Sequence, residues 1–358
     1  MKAKILIVLG LLLLNFGLQA KEKECIKLHV GHNEVPENLI EKKKSITHTH
    51  HLSGHEPVHI ENHFGDVKVR VWEKPEVKVN IEITANAPSE KKVQAFLEIV
   101  KIHSEKVNGE IHFKTDLQCL ASAFENNING GDDKEERNFL RVDYEVWMPE
   151  GHDLTVENSH GDVYIPRFLS VLNLHQNYGN LFADHLKNER SVIDLNFGKG
   201  FIKSMKGGQL NARQTALLID KAENVVMTNT SGNVKVLMAD HVDMKTSYGS
   251  GHIDKVSESC RFQVKYAKEF ILGEIMADVD KLEIESSHTN LELPLCVKGR
   301  YDLSTNTRNT DLVLKDQPKV HYITTGNDAE KRMLIGTTTE TNATKVRVTS
   351  SYGRVEVK

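Results

Sequence analysis

Hydrophobic positions recur with a period of two in short runs along this chain, and a similar turn interrupts one run after another. The segment VHIENHFGDVKV starts at Val58, and the segment LTVENSHGDVYI starts at Leu154. Both contain the same motif, which is Glu-Asn, two variable residues and Gly-Asp-Val. Alternating apolar residues with β-branched members are typical of strands that bury one face. The pattern predicts a strand-turn-strand unit that occurs twice, 96 residues apart as measured from Gly65 to Gly161.

The turn returns at regular intervals after Gly161, at steps of 18, 19, 34 and 17 residues, and the step of 34 holds a unit in which Ala216 takes the place of the glycine. Further on, residues 286–293 align with residues 350–357, and residues 309–314 read as another unit. A period near 18 is typical of stacked repeats, because one short strand buries little surface alone. We therefore expect an all-β parallel β-helix, a solenoid, rather than a β-sandwich. The later glycines are Gly179, Gly198, Gly232 and Gly249.

The composition of the turn allows two interpretations of its polar residues. We expect the glycine to adopt positive φ, which it does without steric cost. Asp66 and Asp162 occupy the same position after the glycine, and Asn180, Asn233 and Ser250 replace them in other units. Hydrogen bonding within a turn tolerates that exchange, whereas a catalytic carboxylate does not. The aspartates are therefore interpreted as turn residues.

An aromatic residue stands immediately before the glycine in several units. Such a column is consistent with a stacked ladder inside the solenoid, which would hold the coils in register. It is also consistent with an exposed strip suited to sugar rings. The residues are Phe64, Tyr178, Phe197, Tyr248 and Tyr352.

Residues 73–150 interrupt the repeats and have a different character. Residues 77–84 alternate as a strand, Ser89-Glu90 opens a helix with apolar residues at helical spacing, and residues 111–115 and 139–147 read as strands around a polar loop at 125–138. The open end of a stack of coils exposes unpaired strand edges, which invite aggregation. We expect residues 73–150 to form a small α+β cap inserted after the first rung.

The N-terminus indicates an exported protein. Residues 1–20 combine Lys2 and Lys4 with an apolar stretch and a small-residue cleavage site, which is typical of a signal peptide. A His-rich segment at 21–57 would follow, and then a repeat domain at 58–358. The formal net charge of −4 argues against a nucleic-acid partner, and no later run is long enough to span a membrane. Four cysteines leave disulfide pairing open: Cys25, Cys119, Cys260 and Cys296.

The stretches IENHFGDVKVRVWEKPEVKVNIEITANAPSEKK and VDYEVWMPEGHDLTVENSHGDVYI, with NYGNL and NFGKG after them, resemble the bacterial family of exported proteins called "putative adhesin". The resemblance covers roughly residues 58–358. It implies a right-handed single-stranded parallel β-helix, a location in the bacterial envelope and no catalytic residues to carry over.

Histidine is the richest candidate for chemistry outside the repeats. His48 and His50 would share one face of a strand, and His55 follows closely, so these three are the predicted metal ligands. The alternative is a polar, solvent-facing strand and loop that happen to be rich in histidine. No cofactor is predicted, because no phosphate loop, GxSxG or HExxH motif is present.

The combined pattern predicts a non-enzymatic envelope protein, an adhesin or an interaction scaffold at the cell surface or in the periplasm of a bacterium. Its partner would be an envelope protein or a glycan, whose identity the sequence does not give. Two alternatives stay open: an accessory or sensory component of an envelope-stress system, and a polysaccharide-degrading β-helix enzyme. The enzyme would require acids clustered with Arg or Lys on one face, and no repeat position carries such a cluster.

Overall fold

The computed structural model describes residues 39–117, 139–295, 299–315, 320–323, 329–341 and 343–358. Within these ranges the chain is all-β, with a single α-helix, α1, at Glu90–Ile99. The predicted signal peptide, the His-rich segment up to residue 38 and the polar loop at 125–138 lie outside the described residues, and so do Cys25, Cys119 and Cys296.

The strands fall into an N-terminal group, a repeat group and a C-terminal group. The N-terminal strands are β1 (Ile40–His51), β2 (Val58–His63), β3 (Val67–Trp72), β4 (Glu76–Ala87), β5 (Val100–Val107), β6 (Glu110–Leu117) and β7 (Phe139–Pro149). The repeat strands are β8 (Leu154–Ser159), β9 (Val163–Ile165), β10 (Leu172–Leu186), β11 (Val192–Met205), β12 (Gly208–Glu223), β13 (Val225–Thr230), β14 (Asn233–Asp240), β15 (Asp243–Ser247), β16 (Ser250–Ser257), β17 (Ser259–Lys265), β18 (Glu269–Ile275), β19 (Lys281–Ser287) and β20 (Asn290–Leu293). The C-terminal strands are β21 (Tyr301–Leu314), β22 (Val320–Ile323), β23 (Glu330–Ile335) and β24 (Thr344–Val357).

Every pairing between repeat strands is parallel, and each strand pairs with the equivalent strand one unit later. Gly179 of β10 is opposite Gly198 of β11, and Gly198 is opposite Thr215 of β12. The same relation joins β14 to β16 and β15 to β17. This parallel ladder differs from the antiparallel pairing of a β-sandwich. The predicted repeat register is confirmed, with Thr215, rather than the expected Ala216, in the place of the missing glycine.

The burial pattern of β12 shows how one repeat unit, which we call a coil, turns. Leu210 and Ala212 face inward, and the alternation then slips by one at Arg213 and Gln214, which are both exposed. Inward positions resume at Thr215 and continue on alternate residues. Successive side chains of a strand point to opposite faces, so two consecutive outward residues mark a corner. The corner thus lies at the turn motif that the sequence repeats.

The glycine of the turn serves a different purpose from the one predicted. Positive φ belongs to the residue before it, for example Tyr178 at 54° and Phe197 at 61°. The glycine is required instead by close stacking, because a Cβ on Gly198 would lie 1.8 Å from the carbonyl oxygen of Gly179 in the preceding coil. The expectation of positive φ at the glycine was therefore wrong.

Polar side chains run through the otherwise apolar interior beside this corner. Asn62 donates from Nδ2 to Asn158 Oδ1 at 3.2 Å, and Asn158 donates to Gln176 Oε1 at 3.3 Å. Asn158 also donates to the carbonyl oxygen of Gly161 at 3.2 Å. All three amide side chains are buried, so these bonds supply the partners that buried polar groups need. The amides tie neighbouring coils together.

The residues inserted after β3 pair with the open edge of the first unit. β6 pairs with β2 and β7 pairs with β3, both in parallel, while β4 runs antiparallel between β1 and β7. Helix α1 begins after Ser89, whose side chain accepts a hydrogen bond from the backbone N–H of Lys92, and buries Val93, Phe96 and Leu97. Ser89 is a favourable N-cap residue and the apolar spacing fits one helix face. Within the described residues, the predicted helix and strands of this region are confirmed.

The C-terminal strand inserts between earlier parts of the chain. β24 pairs in parallel with β19 and β20 on one side and with β21 on the other. Ser286 is opposite Ser350 and Leu293 is opposite Val357, which matches the alignment made from the sequence. β23 and β22 continue the sheet beyond β21 in antiparallel orientation.

Candidate binding surface

Aromatic rings stack along the corner of the coils in two runs, which we call the corner ladder. In the first run the ring centroids are 5.1, 4.9 and 4.7 Å apart, and in the second they are 5.3, 4.8 and 4.9 Å apart. The interplanar angles are 23° or less in both runs. The first run is Phe64, His160, Tyr178 and Phe197, and the second is Tyr248, Tyr266, His288 and Tyr352.

The ladder is stacked as one interpretation predicted, but it points outward. Tyr178 is 47% exposed, Phe197 40% and Tyr248 60%, whereas Phe64 at the first unit is buried. The interior position assigned to the column was therefore wrong for these rings. The cause is the positive φ of each ring-bearing residue, which turns the Cβ away from the core while the next residue, usually glycine, faces the neighbouring coil.

Positive φ is costly for residues with a side chain, at about 1 kcal/mol or more each, and stacking between rings offsets part of that cost. The corner position also carries Gln214, Ser231 and Asn309, at φ of 48°, 60° and 48°. The backbone thus keeps one conformation at this corner whether or not a ring is present. Histidine also fits, as His160 and His288 lie within the stacks, a substitution that the sequence reading of the column missed.

A second aromatic row lies four residues after the first run and lines an open groove on the outer face. Tyr164, Phe182 and Phe201 are stacked at 5.0 and 5.2 Å, with interplanar angles of 10° and 8°. Lys68 lies over the Tyr164 ring at 5.3 Å, and Leu218 continues the row. The groove has a volume of about 480 Å³. Its apolar floor is bordered by charged residues, among them Asp184, which pairs with Lys203.

Acidic residues also form a column beside this corner, which the sequence only partly predicted. Asp143 Oδ1 accepts the backbone N–H of Asp66 at 2.8 Å, Asp66 Oδ1 accepts that of Asp162 at 2.9 Å, and Asp162 Oδ1 accepts that of Asn180 at 2.8 Å. Asp66 and Asp162 lie at the turn as interpreted, but their carboxylates bond to the backbone of the neighbouring unit rather than within their own turn. Asp143 was missed because it comes from the inserted residues and shares no motif with the repeats.

Arg141 neutralises the first two carboxylates of that column. Its guanidinium lies 2.6 Å from Asp143 Oδ2 and 2.8 Å from Asp66 Oδ2. The hydrogen bond with Asp143, together with the charge of Asp66, raises the pKa of Arg141. Burial raises the pKa of the Tyr164 hydroxyl, which donates to Asp162 Oδ2 at 3.4 Å. The column brings acids and arginine together, but each aspartate is engaged by backbone N–H groups.

The three predicted metal ligands lie in two places. His48 and His50 share one face of β1, as expected, and His55 lies in the loop beyond the strand. His50 Nε2 is 2.8 Å from Ser104 Oγ, and His55 Nδ1 is 3.3 Å from the carbonyl oxygen of Gly151. Among the residues that the structure describes, no group of three or more His, Cys, Asp or Glu side chains is arranged to hold a metal ion. The metal site stays a prediction.

Two further features concern the predictions about cysteine pairing and membrane-spanning segments. Cys260 is a free, buried thiol, and burial raises its pKa to about 11. In the described part of the chain, no helix combines the length and apolar character needed to cross a membrane.

Comparisons with known proteins match no family model and no curated protein. Solved structures do align with the chain at low identity. A "putative cell adhesion protein" from Clostridium sporogenes is 11% identical over 88% of this chain and 99% of its own, with a TM-score of 0.19. A "putative adhesin" from Bacteroides fragilis is 7% identical over 88% and 97%, with a TM-score of 0.24. A "putative lipid binding protein" from Parabacteroides distasonis is 9% identical over 88% and 96%, with a TM-score of 0.30.

The TM-scores are below 0.5, so the binding functions in the names belong to those proteins and are not carried over to this chain.

Proposed function

We propose that this protein is a non-enzymatic, adhesin-like protein of the bacterial envelope that binds glycans through its corner ladder and the neighbouring groove. The observation that carries the proposal is the outward stacking of Tyr178, Phe197, Tyr248 and their neighbours along one corner. Exposed large rings are normally limited on a protein surface, and a contiguous row of them marks an interaction site.

The chemistry of the row fits a sugar polymer. Aromatic side chains offer apolar area together with the polar tip of tyrosine, which suits ligands that have both C–H faces and hydroxyl groups. The rings repeat at about 5 Å along the stack, and the row therefore follows a linear ligand rather than enclosing a compact one. Alternating charges beside the groove, such as Asp184 and Lys203, add hydrogen-bonding groups without a strong net field.

The proposal includes an architecture and a cellular location. Residues 58–358 would form a right-handed parallel β-helix, with residues 73–150 as its cap, and residues 1–20 would be removed on export. The in-register parallel pairing and the pairing of β6 and β7 with the first unit support the first two statements. The signal-like composition of residues 1–20 supports the third.

The acid column favours a polysaccharide-degrading enzyme as the second candidate. Asp143, Asp66 and Asp162 stack beside Arg141, and acids near arginine are the groups that such a reaction would use. The contacts support a structural role better, because one oxygen of each carboxylate accepts a backbone N–H from the next position. Incubation with neutral and uronate glycans, followed by product analysis, separates the candidates, since any released oligosaccharide supports the enzyme.

The proposed function is tested by direct binding. The purified protein without residues 1–20 is applied to a glycan array and to whole bacterial cells, and we expect saturable binding to a subset of glycans. The control replaces three exposed rings at once: Tyr178→Ser, Tyr248→Ser and Tyr266→Ser. Retained glycan binding by this folded variant would contradict a ligand surface on the ladder, and an unmodified protein that binds no glycan would contradict the proposed function itself.

The metal role of His48, His50 and His55 is a separate proposal, which rests on their residue type and spacing. Calorimetric titration with zinc tests it. Heat above that of buffer dilution, lost in a His48→Ala and His50→Ala double variant, would support the site, and no heat would reject it.

A further inference from the structure

The two runs of the corner ladder are separated by two coils that carry no ring. Gln214 and Ser231 occupy the corner position there, with the same positive φ as the aromatic residues on either side. Neighbouring strands are about 4.8 Å apart, so Phe197 and Tyr248 face each other across roughly 14 Å. Inside a run each ring has neighbours on both faces, as Tyr178 has in His160 and Phe197. At the break, Phe197 and Tyr248 each have a face without a stacked ring.

The face of Tyr248 is the more open of the two. Tyr248 is 60% exposed, whereas Tyr178 inside the first run is 47% exposed and Phe197 is 40% exposed. The next coil toward the break carries Ser231, the smallest side chain at this corner position, while Phe197 is followed by the longer Gln214. The position over Ser231, flanked by the Tyr248 face, therefore has the space that a ring occupies elsewhere in the ladder.

Polar groups lie beside this position, where the strands after the corner begin. An open groove of about 500 Å³ adjoins Tyr248. It is lined by Asn233 of the coil of Ser231, by Ser250 of the coil of Tyr248, and by Lys268 and Glu269 of the coil of Tyr266, on the far side of Tyr248 from Ser231. Ser250 Oγ donates to Asn233 Oδ1 at 2.9 Å, a bond that does not use the Asn233 amide N–H groups. Within the described residues, neither Lys268 nor Glu269 forms a side-chain ion pair. An apolar ring face thus stands beside several hydrogen-bond donors and acceptors.

We propose that the break is a binding site for one pyranose ring of a β-linked glycan, which stacks on Tyr248 over Ser231 and thereby fills the ladder position that Ser231 leaves open. This inference rests on the proposed glycan-binding function and names the site and the class of sugar. A pyranose with equatorial hydroxyl groups has a flat C–H face for the tyrosine ring, and its hydroxyl groups at the rim lie on the side of Asn233 and Ser250. Both charge signs are present at the rim, which favours a neutral sugar over a phosphate or a polyanion.

The test uses chitohexaose and cellohexaose as probes in calorimetric titration of the protein without residues 1–20. Tyr248→Ala removes the stacking face, and Ser231→Tyr fills the position with a ring of the chain itself. Each is expected to weaken binding about tenfold or more, because each removes a complete ring contact. Ser231→Tyr is also expected to remain folded, since Tyr178 and Tyr248 adopt the same backbone conformation.

Two matched controls identify the site. Tyr322→Ala removes an equally exposed tyrosine that lies outside the corner ladder, and we expect it to change affinity less than twofold. Gln214→Tyr places the same new side chain as Ser231→Tyr one coil away, and we expect it to retain or tighten binding because the sugar would then lie between two rings. Opposite effects of the two tyrosine substitutions cannot arise from a common folding defect.

The outcomes distinguish this inference from the proposed function. If neither oligosaccharide binds, or if Ser231→Tyr binds as tightly as the unmodified protein, the site is overturned, and glycan binding on the array then stands or falls separately. Tyr178→Ala removes a corner tyrosine whose two faces are both stacked, and if it loses as much affinity as Tyr248→Ala, the ligand contacts the ladder along its length and the break has no special role.

Discussion

Gly179 lies so close to Gly161 of the preceding coil that a Cβ on Gly179 would be 1.9 Å from the Gly161 carbonyl oxygen and 2.4 Å from Gln176 Nε2. The same relation links Gly198 to Gly179 and Gly249 to Gly232. The glycines therefore stand in one file along the coils, and the backbone approaches that close because no side chain intervenes. Where the glycine is replaced by threonine, as at Thr215, the hydroxyl donates to the carbonyl oxygen two residues earlier, at 2.9 Å.

Gly179→Ala should destabilise the protein by about 3 kcal/mol or more, because backbone on one side and a buried amide on the other must move to admit one methyl group. Urea unfolding followed by circular dichroism measures the change. The control is Gly54→Ala, where the nearest atom to the added Cβ is Glu56 Oε2 at 3.9 Å. Equal unfolding free energies for the two variants would contradict the stacked file.

The features of the fold that the sequence predicted are those that depend on residues close together in the chain. The repeat period, the strand alternation and helix α1 follow from short-range patterns, and so does the alignment of residues 286–293 with residues 350–357. The sequence predicted where the turn needs a glycine, but it gave the wrong reason for that need. A missing Cβ satisfies both a positive φ and a close approach, and the sequence alone does not distinguish these two needs.

The parts that sequence patterns missed depend on long-range placement. Asp143 joins the column of Asp66 and Asp162 only because β7 pairs with β3, and nothing in the local sequence of Asp143 marks that register. The insertion of β24 between β19 and β21 is likewise a matter of strand order rather than of pattern. The outward direction of the corner rings follows from positive φ at the residue before the glycine, which the sequence did not predict.

Tyr178→Ala should lower the free energy of unfolding by about 1–2 kcal/mol, because it removes two stacked contacts, with His160 at 4.9 Å and with Phe197 at 4.7 Å. Chemical unfolding at neutral pH measures the loss. The matched control is Tyr322→Ala, since Tyr322 is 61% exposed and lies outside the ladder. If both substitutions cost the same, stacking along the corner contributes nothing to stability beyond an ordinary exposed tyrosine.

Asn158→Leu should cost about 3 kcal/mol despite the similar size of the two side chains. The substitution removes one acceptor of Asn62 and one donor to the Gly161 carbonyl oxygen, and it removes the Asn158 donor from the buried Gln176 Oε1. Asn211→Leu is the control, because Asn211 is exposed on β12 and its side-chain amide donates to the exposed-side Asp194 Oδ1, at 2.8 Å. Comparable midpoints of thermal unfolding for the two variants would argue against an amide ladder that holds the coils together.

His160 should make stability depend on pH. Burial between Phe64 and Tyr178, with a smaller contribution from His63, lowers the pKa of its imidazole below the ordinary 6.5. The unfolded chain therefore binds the proton more readily, so this contribution is fully favourable above about pH 6.5 and is lost as the pH falls toward the folded-state pKa. Urea midpoints measured from pH 8 to pH 5 should fall less steeply for His160→Phe, which keeps the ring but does not titrate. Parallel curves for the two proteins across that range would show that the ring of His160 is as easily protonated in the stack as in the unfolded chain.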